Sequence, residues 1–434
     1  MMSPGSGISL DPWFDNYADR AEGLSASEVR ALFAVASRPE VVSLAGGMPF
    51  VAALPFDKVR SSVDRVLSEA GATALQYGSG QGLPALRERI LEIMALEGIR
   101  AGVDEVVVTT GSQQGLDLIA KLFINPGDAI LAESPSYVGA MGVFRSYQAR
   151  VEHVAMDEHG MIPEALVERI ESLSAASVPM KFLYLIPNFH NPAGVTLSAQ
   201  RRLEILDIAK AHNILVVEDN PYGLLWFDTP PPQAIRSVDD SGVIYLGSFS
   251  KTFAPGLRVG WVVAPHGIRE KLVLASEAAI LSPSSFSQMV LSDYFEHHDW
   301  KAQIDTFRGV YHERRDAMAQ ALAATLPTVS HTMPEGGFYL WLTLPEGLDS
   351  KEMLPRAITE LVAYTPGTAF FANGEGHRHL RLAFCYPNHD FITEGVKRLA
   401  KVITEEIELV ATFGPSTSPV RLGANLDSPP PEVS

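Results

Sequence analysis

Between residues 105 and 265, short uninterrupted apolar runs alternate with stretches of helical periodicity. The runs are Val106–Val108, Ala129–Ala132, Phe182–Ile186, Ile214–Val217, Val243–Leu246 and Val259–Val263. A strand wetted on one face reads apolar–polar in alternation. Runs apolar at every position predict strands covered on both faces, as in a mainly parallel sheet flanked by helices. The intervening segments agree: from Arg202 to Ala211, Leu203, Leu206 and Ala209 recur at helical spacing. The pattern predicts an α/β architecture.

Outside this stretch the rhythm changes. Ser25 and Glu28 ahead of Val29, Leu32, Phe33 and Val35 form a capping-box signature for a helix start. Ser43-Leu-Ala-Gly-Gly-Met-Pro49 then breaks regular structure. A long helix is expected over Trp300–Ala324, strands over Gly336–Leu342 and His379–Phe384, and a helix from Phe391 to Ile407 with Ile392, Val396, Leu399 and Ile403 on one stripe. The expected organisation is an N-terminal arm (1–52) that contributes to the small domain and the substrate site, a large domain (53–305), a small α+β domain (306–412), and a disordered tail (413–434) rich in Pro, Ser and Gly.

Composition narrows the chemistry. A net charge of −17 over 434 residues argues against nucleic acid and against anionic membranes, both of which require a basic face. Cys385 is the only cysteine, so the chain can form neither an internal disulfide nor a cysteine metal site. Residues 1–15 lack the basic and apolar regions of a secretory signal, and no run is long enough to span a bilayer. A soluble cytoplasmic protein is expected.

In open α/β sheets ligands bind beyond the carboxyl ends of the strands, so the residues that follow each apolar run carry the functional reading. After Val106–Thr110 comes Gly111-Ser112-Gln113-Gln114 and a helix pattern, whose free N–H groups suit a phosphate. The later runs lead into Glu133-Ser-Pro-Ser-Tyr137, Pro187-Asn-Phe-His-Asn191-Pro-Ala-Gly194, Glu218-Asp219-Asn-Pro-Tyr222, and Gly247-Ser248-Phe-Ser250-Lys251 with Arg258 beyond. These ends offer a phosphate cradle, a flat ring, an amide, a carboxylate with a phenol, and a lysine between hydroxyls. Pyridoxal phosphate requires that set: an amine for its aldehyde, a carboxylate for its pyridine nitrogen, donors for its phenolate oxygen, and hydroxyls and a cation for its phosphate.

With SLAGGMP, QYGSGQG, TTGSQQGLDL, ESPSY, PNFHNPAG, VEDNPY, GSFSKTFAPGLRVGW and LRLAF in this order, the chain resembles the fold-type I, class I/II aminotransferases. It is most similar to the branch of 2-aminoadipate aminotransferases and kynurenine aminotransferase II, over about Ser25 to Leu409. The resemblance implies a seven-stranded, mainly parallel sheet and a homodimer with shared active sites. It implies that Lys251 binds pyridoxal 5'-phosphate covalently and then moves the substrate's α-proton. Asp219 pairs with the pyridinium nitrogen, Tyr222 and Asn191 donate to the phenolate oxygen, and Tyr137 stacks on the ring. Ser112, Gln113, Ser248, Ser250 and Arg258 bind the phosphate, with Tyr77 from the partner subunit. Arg381 takes the substrate's α-carboxylate as a fork, a geometry lysine does not offer. Gly46 allows close approach of substrate, and Arg30 contacts its side chain. Lys251, Asp219 and Tyr222 form the catalytic set, and Asn191 also touches substrate.

The implied reaction is ping-pong transfer of an amino group from an L-amino acid to a 2-oxo acid, with 2-oxoglutarate the expected acceptor. An inward Arg30 favours an acidic donor such as 2-aminoadipate or glutamate; otherwise an aromatic or branched donor is expected. Gly46–Val51 and Leu281–Phe286 are expected to line the side-chain pocket. The alternatives are a β-lyase, decarboxylase or racemase on the same motifs, and, from another class, a ligand-sensing module of a transcription regulator. The latter needs a DNA-binding domain, and the stretch ahead of Ser43 is too short to hold one.

Several motifs are set aside. Gly78-Ser-Gly80-Gln-Gly82 follows no strand and lacks the acidic ribose ligand of a dinucleotide loop. His297-His298-Asp299 diverge around a helix, so no metal site is expected. His190 shapes the loop before Asn191, and Cys385 is a small hydrophobe near Arg381.

Overall fold

The computed structural model describes Trp13, residues 16–21, Leu24 and residues 38–414. The helix expected from Ser25, Arg30 upon it, and the tail beyond Gly414 lie outside the described residues.

The apolar runs become the body of a large sheet with strands β1 (Val106–Thr109), β2 (Ala129–Ser134), β3 (Arg150–Asp157), β5 (Met180–Leu185), β6 (Leu215–Asp219), β7 (Val243–Ser248) and β8 (Gly260–Val263). A two-residue strand, β4 (Gly160–Met161), extends one edge, and the spatial order is β1-β8-β7-β6-β5-β2-β3-β4. The sheet is α/β and mainly parallel, as expected, with β8 antiparallel to both neighbours. Every residue of β1, β7 and β8 is buried, which is why these strands read as uninterrupted apolar text. Strand β3, near the edge, mixes buried and exposed positions. Its sequence therefore carries no such run and passed unnoticed.

The reversal of β8 positions the site. Gly260 at its start stands opposite both Ser248 at the end of β7 and Thr109 at the end of β1. The segment entering β8 thus arrives at the carboxyl ends of the parallel strands, where helix α1 (Ser112–Phe123) begins. A Cβ on Gly260 would come within 2.6 Å of the Ser112 backbone nitrogen. Only glycine lets strand and helix start approach so closely.

Four short strands form a second, antiparallel sheet: β9 (Ser330–His331), β10 (Tyr339–Thr343), β11 (Thr365–Pro366) and β12 (His379–Ala383), in the order β9-β10-β12-β11. Strand β10 starts three residues later than its sequence pattern suggests, because Gly336 and Gly337 form a bend in which Gly337 has φ +72°. Two long helices, α2 (Trp300–Thr325) and α3 (His389–Phe413), pack on each other beside this sheet. Helix α3 runs to Phe413, the residue expected to open the tail, because Val410 prolongs its packed stripe. Residues Val42–Ser43 pair in parallel with Val362–Ala363, and the Ala383 N–H at the end of β12 donates to the Leu44 carbonyl at 2.7 Å, tying the segment that carries Gly46 and Gly47 to the second sheet.

Candidate active site

A cavity of about 390 Å³ opens at the carboxyl ends of β6 and β7, roofed by residues from the second sheet. It gathers Ser112, Gln113, Tyr137, Asn191, Asp219, Tyr222, Ser248, Ser250, Lys251, Arg258 and Arg381, eleven side chains singled out in the sequence. They come from segments up to 269 residues apart, Ser112 to Arg381 (381 − 112), and only the topology brings them together.

Ser112 and Gln113 open α1, whose first N–H groups no helical carbonyl can take. Gly111 precedes them at φ +77°, and a Cβ there would strike the Arg258 guanidinium at 2.5 Å. Ser248 ends β7 and caps the one-turn helix Phe249–Thr252, its Oγ accepting from the Ser250 N–H at 3.1 Å. Arg258 is exposed, donates to the Thr110 carbonyl at 3.2 Å, and holds a left-handed φ of +54°. A non-glycine residue in that region is under strain that its surroundings must hold in place, a common feature of binding sites. Hydroxyls, free N–H groups and a guanidinium therefore converge in a cradle that suits a phosphate.

Asp219 is the last residue of β6 and is buried. Its Oδ2 accepts from the Tyr184 hydroxyl at 2.7 Å, while its Oδ1 is buried with no partner. Burial pushes the carboxyl up to about 6, and the Tyr184 bond opposes the rise. An orphaned buried carboxylate oxygen is costly. A protonated ring nitrogen would supply the missing donor, and with it the charge that restores full ionisation.

Lys251 sits half-buried, its Nζ donating to the Gly47 carbonyl at 3.1 Å. Burial drives its amine down to about 8, and the cations Arg381 and Arg258 push the same way. An amine so shifted holds an appreciable neutral fraction near physiological pH, as both a nucleophile and a proton acceptor require. Tyr137 and Tyr222 remain phenols, burial raising the first to about 12 and the second well above its ordinary value.

Arg381 is buried between the rings of Tyr339 and Phe370, with its guanidinium carbon 4.2 and 4.8 Å from their centroids. One terminal nitrogen donates to Asn191 Oδ1 at 2.7 Å and the other to the Ala45 carbonyl at 2.7 Å, while Nε is buried without a partner. The guanidinium is thus fixed in position with donor capacity to spare. His190 accepts the Ala193 N–H on Nδ1 at 3.2 Å, and its Nε2 lies 3.2 Å from Glu133 Oε2. This buried pair sets the loop that presents Asn191.

Three expected residues lie outside this chain's own cavity, among them Tyr77, which the resemblance assigns to the partner's site. Gly46 is buried and does not line the cavity; its neighbour Gly47 does. A Cβ on Gly47 would lie 1.8 Å from the Tyr339 hydroxyl. Tyr77 is 78% exposed and outside the cavity, and so is Leu281, at 62%. The two segments instead meet each other, the Gly78 N–H donating to Ser282 Oγ at 3.2 Å. Arg30 lies outside the described residues. Sequence reasoning missed Tyr184 and Tyr339. Each sits in an apolar strand run where a tyrosine passes for core, and the only signal was a hydroxyl in need of a partner.

The donor set fits pyridoxal phosphate at every point: a cradle for the phosphate, an orphaned carboxylate for the ring nitrogen, phenols beside the ring, and a neutralisable amine. The family model for aminotransferases of class I and II matches residues 40–399. Aromatic-amino-acid aminotransferase 1 of Thermococcus litoralis is 41% identical over 90% of this chain and 95% of its own length. A crystal structure of kynurenine aminotransferase from Pyrococcus horikoshii, in complex with PMP, superposes with a TM-score of 0.88 at 39% identity, covering 92% of this chain and 99% of that one. LysN, the α-aminoadipate aminotransferase of Thermus thermophilus, complexed with N-(5'-phosphopyridoxyl)-L-leucine, superposes with a TM-score of 0.85 at 35% identity, over 92% and 100% of the two chains.

Proposed function

Because the chain belongs to the class I and II aminotransferases, a family of pyridoxal-phosphate enzymes, we propose that it accepts aromatic, 2-aminoadipate-type and branched amino donors, with 2-oxoglutarate as acceptor, through the site at Lys251. The single observation that carries this reading is the meeting of Lys251, the orphaned Asp219 carboxylate and the buried Arg381 in one cavity. When bound, pyridoxal phosphate supplies an aldehyde that joins to amines and a protonated ring that takes up the electron pair released at the substrate's Cα.

The residues then divide the work. Ser112, Gln113, Ser248, Ser250 and Arg258 anchor the phosphate, and Tyr137 forms a flat wall beside the ring. Asp219 keeps the ring nitrogen protonated, since its charge makes loss of that proton unfavourable in a buried site. Tyr222 and Asn191 donate to the phenolic oxygen. Arg381, pinned by Asn191 and Ala45, holds the α-carboxylate of the donor and so aims its Cα–H at Lys251. Lys251 would hold the cofactor's aldehyde carbon and, once the donor's amine has taken its place there, would accept the Cα proton and hand it back on the far side of the donor nitrogen. Water would then free the oxo acid, the amino group staying with the cofactor, and a second oxo acid would run the same steps backwards.

Tyr77 completes the phosphate site from a second copy of the chain. Its exposure, beside the exposed Leu75 and Leu281, supports a homodimer. Among the described residues no helix is long and apolar enough to cross a membrane. The acidic charge and lone buried cysteine support a reducing, cytoplasmic setting. Met48 and Tyr339 supply apolar surface where a donor's side chain would lie. Arg258 and Arg381 are the described cations that line the cavity beside Lys251.

The test is a half-reaction. Purified enzyme with pyridoxal phosphate is mixed with phenylalanine, 2-aminoadipate, leucine or glutamate, without acceptor. One equivalent of the matching oxo acid per site, with loss of the visible cofactor band and its return on adding 2-oxoglutarate, is the expected outcome. Release of carbon dioxide, ammonia or the D-amino acid instead would replace transamination with decarboxylation, elimination or racemisation.

A further inference from the structure

Tyr339 occupies a place that neither packing nor the transfer steps above account for. It opens β10 and is buried, with its ring against the Arg381 guanidinium at 4.2 Å. Its ring also meets Tyr222 edge-on, with centroids 6.1 Å apart and planes at 85°, and Phe338 at 6.1 Å. These contacts leave the ring little freedom. The hydroxyl is therefore delivered to one point: 3.4 Å from the Tyr222 hydroxyl and hard against Gly47, whose carbonyl receives Lys251 Nζ. A phenylalanine would make the same ring contacts, so the oxygen needs a separate reason.

We propose that Tyr339 is a positioning residue that donates its hydroxyl proton to the oxygen of Tyr222, so that two phenols in series stabilise negative charge on the phenolic oxygen of the bound cofactor. The inference rests on the reading of Lys251 and Tyr222 given above. Without a cofactor, Tyr222 donates to Tyr339. Once Tyr222 turns its proton to a phenolate, its own oxygen is free to accept, and Tyr339 is the hydroxyl within reach. A phenol that accepts a hydrogen bond becomes a stronger donor, because each bond in a chain polarises the next. Better stabilisation of the phenolate would favour the unprotonated form of the link between Lys251 and the cofactor, which can take the proton that the donor's ammonium group must lose before its amine attacks. The other groups facing Lys251 are Arg381, Arg258 and Cys385. Tyr339→Phe retains all three and the ring that packs on Arg381.

The experiment is a spectrophotometric pH titration of the visible band of the holoenzyme, in wild type, Tyr339→Phe, Tyr222→Phe and the double variant. Tyr339→Phe is expected to raise the midpoint by about half a pH unit. Tyr222→Phe should raise it further, and Tyr339→Phe should add nothing when Tyr222 is already gone. A midpoint unmoved in Tyr339→Phe, or moved equally with and without Tyr222, overturns the relay. Absence of any visible band in the wild type with pyridoxal phosphate overturns the reading of Lys251 instead, so the two failures are distinct.

Discussion

Replacing Lys251 by Met is expected to abolish transfer and, at neutral pH, to stabilise the cofactor-free protein. The amine of Lys251 falls from an ordinary 10.5 to about 8, chiefly by burial. At about 1.36 kcal/mol per pH unit, the charged amine costs about 3 kcal/mol more in the folded chain than in the unfolded one. Met keeps the length and apolar stem and removes the charge, but forfeits the bond to the Gly47 carbonyl, worth about 1 kcal/mol. The net gain is about 2 kcal/mol.

The sign with pH is distinctive. A lysine whose folded value is depressed carries its full penalty below about pH 8, and the penalty fades as pH rises towards 10.5, where the unfolded chain also loses the proton. The advantage of Lys251→Met should hold from pH 6 to 8 and nearly vanish by about pH 9.5. Urea unfolding of both cofactor-free proteins at equal concentration measures it. Equal stability at pH 7, or a gap that does not close above pH 8, would show that Lys251 is not held as a desolvated amine.

Asp219→Asn exchanges an orphaned carboxylate oxygen for an amide and removes the charge opposite the ring nitrogen. Affinity for pyridoxal phosphate should fall about 10- to 100-fold, the worth of a charge-assisted bond, and equilibrium dialysis giving an unchanged constant would refute the pairing. Arg381→Lys loses the planar fork and the tie to Asn191. It should lower kcat/KM for every donor on the order of 100-fold while leaving cofactor binding intact, and an unaltered KM for the donor would remove Arg381 from substrate binding. Gly47→Ala places a Cβ 1.8 Å from the Tyr339 hydroxyl. It should cost about 1–3 kcal/mol of stability and most of the activity, read from urea unfolding and the rate constant of the half-reaction; unchanged values in both would refute the close fit.

Much of this protein is decided by the chain alone. Strands buried on both faces must be apolar throughout, so β1, β5, β6, β7 and β8 can be read from their text. The residues that follow parallel strands must meet at one end of the sheet, so Ser112, Asp219 and Lys251 can be assigned to one site without coordinates. The same logic fails where burial is partial, as in β3, whose edge position leaves no uninterrupted run. It fails also where a polar atom is embedded in an apolar word: Tyr184 and Tyr339 look like core until their hydroxyls are seen against Asp219 and Tyr222.

Only the tertiary structure sets Gly47 in the cavity against the Tyr339 ring. That ring comes from β10, almost 300 residues away, and leaves no room for a Cβ on Gly47. The tertiary structure also brought the segments of Tyr77 and Leu281 together outside the cavity, through Gly78 and Ser282. Local sequence sets which residue types are present and how they alternate. Which atoms meet is set by the reversal of β8 and by the seating of the second sheet over the first, and those depend on contacts between segments that no local pattern encodes.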